Sequence, residues 1–287
     1  MLLSETITLN VADEEFSLKH IDRLKLPNSR KGLLKALDLM QDKRDWDNLP
    51  RFLEGLHNAG RQMHNLAPFA VVKKAANAGR LDVVLECARR VSSTGFRLKD
   101  AVLVNEIVWR IQEKAMLSGW NAKETKQALT WVEMVSVLLE DERHAGSRAV
   151  NGGADPRVQP DLVGILLQLA AVRAAQHLDG KDEDGKVAEY AKRFLGLRQG
   201  GLEPTTKTAN TPDEVHAANH WLGSMLPILH GMKVAQTVLD PASEVAVELK
   251  AKATGLQELV SQQRDMVITS GISSRFRELG VYEKLLS

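Results

Sequence analysis

His216 and His220 stand four residues apart in a predicted helical segment, the spacing at which two imidazoles share one face and can hold a zinc ion. A zinc protease needs a glutamate directly after the first histidine as general base. Ala217 occupies that place, and no third ligand follows at a fitting distance. The acidic run DGKDEDGKVAEY at 179–190 has the flavour of a calcium loop. Setting Gly185 at the glycine position of such a loop puts Gly180 and Ala191 at its first and last ligand positions, and neither side chain can bind. A solvated loop capping the next helix is expected instead. Neither a glycine-rich phosphate loop nor a Gly-x-Ser-x-Gly elbow occurs. The lone Cys87 sits among apolar helical positions and excludes an internal disulfide. No catalytic, cofactor or metal site is expected, and no small-molecule substrate.

Cations offer a different chemistry. The stretch KHIDRLKLPNSRKGLLK at 19–35 carries Lys19, Arg23, Lys25, Arg30, Lys31 and Lys35 against one acid, Asp22. Lys73-Lys74 and Arg89-Arg90 form smaller clusters. Such groups meet phosphate oxygens, which positions a protein on RNA without reading its sequence. The plain alternative is a solvated helix face. Arg30, Lys31, Lys35, Lys73 and Lys74 are the candidate contacts to an RNA backbone or a partner. Over the whole chain 38 basic residues oppose 37 acidic ones, for a formal charge of +1, which argues against a dedicated nucleic-acid binder.

The elements that position these residues read as helices. The chain of 287 residues is 44% apolar but only 5% aromatic, a balance that favours helices over sheets. Apolar residues recur at three-to-four spacing, as Val83, Val84, Cys87, Ala88 and Val91 do. Helices are predicted at about 13–25, 30–42, 46–58, 66–77, 81–93, 101–117, 122–141, 161–178, 185–197, 212–233, 241–265 and 272–284, with no strand pair anywhere. The short connections make neighbours antiparallel. RQGGLEPTTKTANTPDE is the clearest linker, and Thr211-Pro212-Asp213-Glu214 after it starts a helix well. The expected organisation is an N-terminal helix and basic segment over 1–29, a helical solenoid over 30–200 and a C-terminal helical region over 201–287. No apolar run approaches the ~20 residues that span a bilayer. MLLSETITLN has neither the apolar core of a secretory signal nor the Arg-rich, acid-poor character of an organelle import segment.

The segments RDWDNLPRFLEGLHNAGRQMH (44–64) and GRLDVVLECARRVSSTGFRLK (79–99) align with Trp46 on Leu81, Asp47 on Asp82, Leu56 on Val91 and Gly60 on Gly95, each pair 35 residues apart. A fixed period of that size marks stacked helix hairpins, each burying its apolar face on the next. NAGRLDVVLECARRVSSTGF resembles the second helix and turn of a pentatricopeptide repeat, with its A-G-R-x-D start and closing glycine. The resemblance covers about residues 30–117. The related tetratricopeptide repeat has a period of 34 and a Trp-Leu-Gly-Tyr pattern that is missing here.

The resemblance implies an all-α solenoid of pentatricopeptide- or tetratricopeptide-like hairpins with additional C-terminal helices, and a role in mitochondrial gene expression. Base-reading members of that family use a polar residue on the first helix and another at the end of each unit. The register places Leu34, Phe69 and Val104 at the helix positions and His64 and Lys99 at the ends. The first three lack the donors and acceptors that distinguish base edges. Where the family sets a phosphate-meeting cation, Asp42, Asn77 and Gln112 stand. The expectation is therefore a non-catalytic subunit or accessory factor of a mitochondrial ribonucleoprotein, above all the mitochondrial ribosome. It would dock mainly on protein partners in a larger assembly, touching rRNA or mRNA backbone without sequence preference. A tetratricopeptide-like protein adaptor with no RNA role, located in the cytoplasm, is the alternative.

Overall fold

The computed structural model describes residues 7–11, 14–18, 28–61, 67–145, 155–197, 202–271, 281 and 285. One sequence expectation fails at the start. In place of a helix from residue 13, strands β1 (Ile7–Val11) and β2 (Glu14–Leu18) form an antiparallel pair. The register sets Ile7 opposite Leu18 and Leu9 opposite Phe16. The physical reason is period. ITLNV alternates apolar and polar residues and carries β-branched side chains, which suit a pleated ribbon better than a helix. The remainder of the expected first helix, and most of the one expected at 272–284, lie outside the described residues.

Among the described residues everything else with regular structure is helical, and the class is all-α. The helices are α1 (Ser29–Leu39), α2 (Lys43–Asp47), α3 (Leu49–Asn58), α4 (Ala67–Asn77), α5 (Leu81–Arg89), α6 (Val91–Thr94), α7 (Ala101–Leu117), α8 (Ala122–Leu138), α9 (Glu142–Ala145), α10 (Pro160–His177), α11 (Lys186–Leu195), α12 (Pro212–Val238) and α13 (Glu244–Thr269). Their starts follow local chemistry. Thr211 and Glu214 close a reciprocal capping box on α12, and Ser243 caps α13. The helices pack as hairpins stacked in two layers. One layer runs α1, α4, α7, α10, α12. In the other, α3 meets α5 and α6, α5 meets α8, and α11 meets α13. Between α8 and α11 the join is polar: Glu133 accepts from Lys186 Nζ at 2.5 Å and from the Tyr190 hydroxyl at 2.8 Å.

Successive hairpins near the start are stapled by ion pairs whose members lie about one period apart. Lys74 reaches Asp38, 36 residues back. Arg80 reaches Asp47 at 2.6 Å and Asp82 at 2.8 Å, and its Nη1 donates to the Lys43 carbonyl at 2.8 Å. Arg90 reaches Glu54, which also accepts from Ser93 at 2.8 Å. The closing glycines Gly60 and Gly95 both have φ of 66°, a left-handed turn open to glycine without a Cβ penalty.

The tightest packing lies between α10 and α12. A Cβ on Gly231 would stand 2.8 Å from the Gln168 Cα, and one on Gly164 only 2.5 Å from Ile228 Cγ1. Around this crossing, Gln168 Nε2 and His230 Nδ1 lie 3.0 Å apart, and the His230 ring stacks on Trp120 at 5.7 Å. Trp120 itself has φ of 59°, unusual for a residue with a side chain. His177 Nε2 stands 2.8 Å from its carbonyl oxygen, so contacts from two helices hold the strained turn.

Two outcomes follow from this packing. Gly231→Ala pushes against backbone that cannot yield, and should lower stability by about 1–3 kcal/mol in urea unfolding. Burial holds the His230 imidazole down to about 4, below its ordinary value near 6.5. The unfolded chain then takes up a proton that the native one refuses, so stability contributed by this group is present at neutral pH and is lost as pH falls from about 6.5 toward 4. Between pH 7 and pH 5 the loss is about 2 kcal/mol. His230→Gln should remove that part of the pH dependence, and an unchanged slope would count against this assignment.

Candidate functional site

Helix α1 departs from a preference that several other helices of the fold follow. Anionic side chains stabilise a helix start and cations oppose it, because the backbone N–H groups there carry partial positive charge. Asp82, Glu124, Asp161 and Glu244 occupy the first turns of α5, α8, α10 and α13. The first turn of α1 holds Arg30 and Lys31 and no acid. The Asn28 side chain compensates in part, accepting from their two backbone amides at 2.9 and 3.2 Å. Both side chains are exposed, as are those of Lys35 and Lys73. Among the described residues none of these four has a carboxylate partner. Lys74 is different, since it is tied to Asp38. Arg89 and Arg90 are likewise engaged, by Glu86 and Glu54.

Beside this edge opens a cavity of about 340 Å³. The Arg61 guanidinium joins the two, lining the cavity while donating to Ser29 Oγ at 3.1 Å at the start of α1. Leu53, Leu56, Phe69 and Leu103 supply an apolar floor; His57, Arg97 and Lys99 stand exposed at the rim. The fold builds this shape from turns. Gly95 leaves room for the His57 imidazole, whose Nδ1 would lie 2.9 Å from a Cβ at that position. The Asp100 carboxylate also lines the cavity but caps α7, accepting the Val102 amide at 2.9 Å.

Two of the repeat-register positions, Phe69 and Lys99, thus meet in one cavity. Leu34 is half-buried, Val104 is fully buried in the core, and His64 lies outside the described residues. Reasoning from the sequence missed Arg61 and Arg97. The available signal was a cation one residue after Gly60 and two after Gly95.

The residues weighed for other chemistry have structural surroundings. Asp182, in the acidic run, caps α11 by accepting the Val187 and Ala188 amides at 3.0 and 2.9 Å, and Asp184 pairs with Arg173 at 2.7 Å. His220 is exposed on α12 and lines a small cleft with Asp161 and Ser224. Cys87 is wholly buried, and burial pushes its thiol up to about 12, far from thiolate chemistry. Among the described residues no helix is long and apolar enough to cross a membrane.

Cations that hold the fold and cations that are available should separate in one measurement. Arg97→Ala with Lys99→Ala should change unfolding stability by less than about 0.5 kcal/mol, as exposed unpaired side chains do. Arg80→Ala strips partners from two aspartates and a carbonyl and should cost about 1–2 kcal/mol. Urea titrations of the two variants check the contrast.

Comparison with known proteins supplies the context for this surface. The family profile described as mitochondrial ribosomal protein mS27 matches residues 1–284. The small ribosomal subunit protein mS27 of Neurospora crassa is 30% identical over 212 residues, covering 68% of this chain and 54% of that protein. The chain therefore spans about half the length of the curated relative it matches. With the profile spanning nearly every residue described above, the chain belongs to the mitochondrial ribosomal protein mS27 family.

Proposed function

We propose that this chain is a non-catalytic component of the small subunit of the mitochondrial ribosome, and that its working location is the mitochondrion. It docks mainly through protein contacts, and its cationic edge meets rRNA backbone without reading sequence. The hairpins are degenerate pentatricopeptide-like units, a reading supported by the 35-residue spacing of Gly60 and Gly95 and by the staples that join residues about one period apart.

The observation that carries the RNA contact is the first turn of α1. Arg30 and Lys31 sit where a helix prefers acids, and neither is neutralised within the described chain. A choice that local stability opposes points to a use outside the fold. Lys35 and Lys73 extend the edge along α1 and α4, which pack together. Phosphate contact explains this arrangement without any demand for base-reading groups. The edge is nevertheless small against a net charge of +1, so backbone contact alone gives only modest, salt-sensitive affinity. Protein neighbours must supply the remainder.

Replacing Arg30, Lys31 and Lys35 together by alanine should weaken association with small-subunit particles and flatten its salt dependence. The same variant should unfold at an equal or higher urea midpoint, because two cations leave a helix start. Sedimentation of tagged chain with particles at graded salt reads the first effect. Retention equal to the parent at every salt concentration would remove the edge from the interface.

A further inference from the structure

The cationic edge at α1 has an electrostatic opposite elsewhere in the fold. Where α7, the start of α10 and α12 meet, a second cleft of about 190 Å³ opens. We infer that it receives one arginine side chain of a protein partner, the guanidinium shared by the Asp161 carboxylate and Asn105 Oδ1 and lying against the Trp109 indole. This inference rests on the reading that the chain docks mainly through protein contacts, and it names one contact of that docking.

The cleft is lined by acceptors that the fold leaves unused. Asn105 Oδ1 is wholly buried, yet no donor among the described residues reaches it. A buried amide oxygen in that state costs free energy, which a ligand N–H group recovers. The Asp161 carboxylate has the Ser224 hydroxyl as a hydrogen-bond partner, but no lysine or arginine pairs with it among the described residues. Burial raises its carboxyl above the ordinary carboxylate range, as befits an anion with too little compensation. His220 acts on it from the exposed rim of α12. The neighbouring Arg110 is already held, by Glu106 at 3.0 Å and Glu113 at 3.3 Å.

Size and charge select the occupant. The volume lies below the roughly 300–1,000 Å³ of small-molecule sites and suits a single side chain. Asp161 and Glu106 in the lining repel phosphate and acidic side chains, so an RNA backbone does not fit. A planar guanidinium offers donors to two acceptors at once and lies well against an indole, which an ammonium group does less effectively. The Trp109 ring is fixed in place, its Nε1–H donating to the Gly223 carbonyl at 3.3 Å across from α7 to α12. Val102, which also lines the cleft and is 60% exposed, offers an apolar rest for the methylene stem.

The test titrates the full chain with N-acetyl-L-arginine methylamide and with its citrulline counterpart, which has nearly the same shape and no charge. The Trp109 indole N–H resonance, assigned with Trp109→Phe, reports occupancy. The arginine probe should shift it and bind at least about 10-fold more tightly than the citrulline probe. Asp161→Asn keeps the shape of the site and should weaken the arginine probe about 10- to 150-fold. Asn105→Leu should weaken it too, and serves alone if the first variant does not fold. Equal affinity for the two probes, or arginine binding unchanged in either folded variant, overturns the inference. In assembled small-subunit particles, p-benzoylphenylalanine in place of Val102 should cross-link on illumination to a protein segment that contains arginine. An adduct with RNA, or with a protein segment lacking arginine, sinks the idea as well. Retention on particles is scored separately. Ribonuclease that frees the parent chain while the neighbouring proteins stay assembled defeats the protein-docking reading. An Asp161→Asn chain held as firmly as the parent defeats this contact alone.

Discussion

The stack depends on how closely α10 and α12 approach. Gly164 and Gly231 remove side chains where Ile228 and the Gln168 backbone would otherwise be struck. The two helices are buried along much of their length, from Leu162 to Ala174 and from Val215 to Ala235. Ridges packed at this distance tolerate little change in volume. The crossing also organises polar groups. Gln168, His230 and Trp120 form one connected set, which joins the turn after α7 to the last two hairpins. Loosening that crossing would release the strained Trp120 turn and, with it, the seat of α7 and α8.

From that anchor toward residue 28 the character of the joins changes. Near α10 they are apolar and tight; between the first hairpins they include exposed or half-exposed ion pairs, such as Lys74 with Asp38 and Arg90 with Glu54. Pairs of this kind contribute little each, because solvent screens them. Their value lies in register. A staple between residues 33 to 36 apart can form only when neighbouring hairpins sit one unit out of phase. Cohesion thus comes from the apolar layers and alignment from the charges. Arg30, Lys31 and Lys35, which have no carboxylate partner among the described residues, lie at the α1 end of the stack.

This gradient bears on how a nearly neutral chain can present a local cluster of cations. Part of its charge is spent internally on caps and staples, while Arg30, Lys31, Lys35 and Lys73, with no carboxylate partner among the described residues, share the packed helices α1 and α4. A concentrated edge positions a protein on phosphate without making the whole surface sticky toward nucleic acid. The turns that close the first hairpins bring Phe69, Arg97 and Lys99 around one cavity. An unremarkable scaffold thereby gains a local chemistry that none of its helices carries alone.

Much of the fold could be read from the sequence. Helical periodicity, capping residues and the recurrence of Gly60 at Gly95 determine the helices, their antiparallel pairing and the stacking, because these depend on contacts between near neighbours. The same local rules, weighed wrongly, concealed the β1–β2 pair, where an acid-rich helix start outweighed the two-residue alternation of ITLNV. The basic character of Arg30, Lys31 and Lys35 was legible too. Which cations are free was not: Lys73 and Lys74 are adjacent and alike, yet only Lys74 finds an aspartate, 36 residues away. The cavity was equally hidden, since its lining runs from Leu53 to Leu103 and becomes one surface only when successive turns are stacked. The sequence by itself determined the helices and their repeat because those are short-range preferences. Tertiary structure alone decided which charges are neutralised and where a pocket opens, because pairing and concavity depend on distances between residues that the chain keeps far apart.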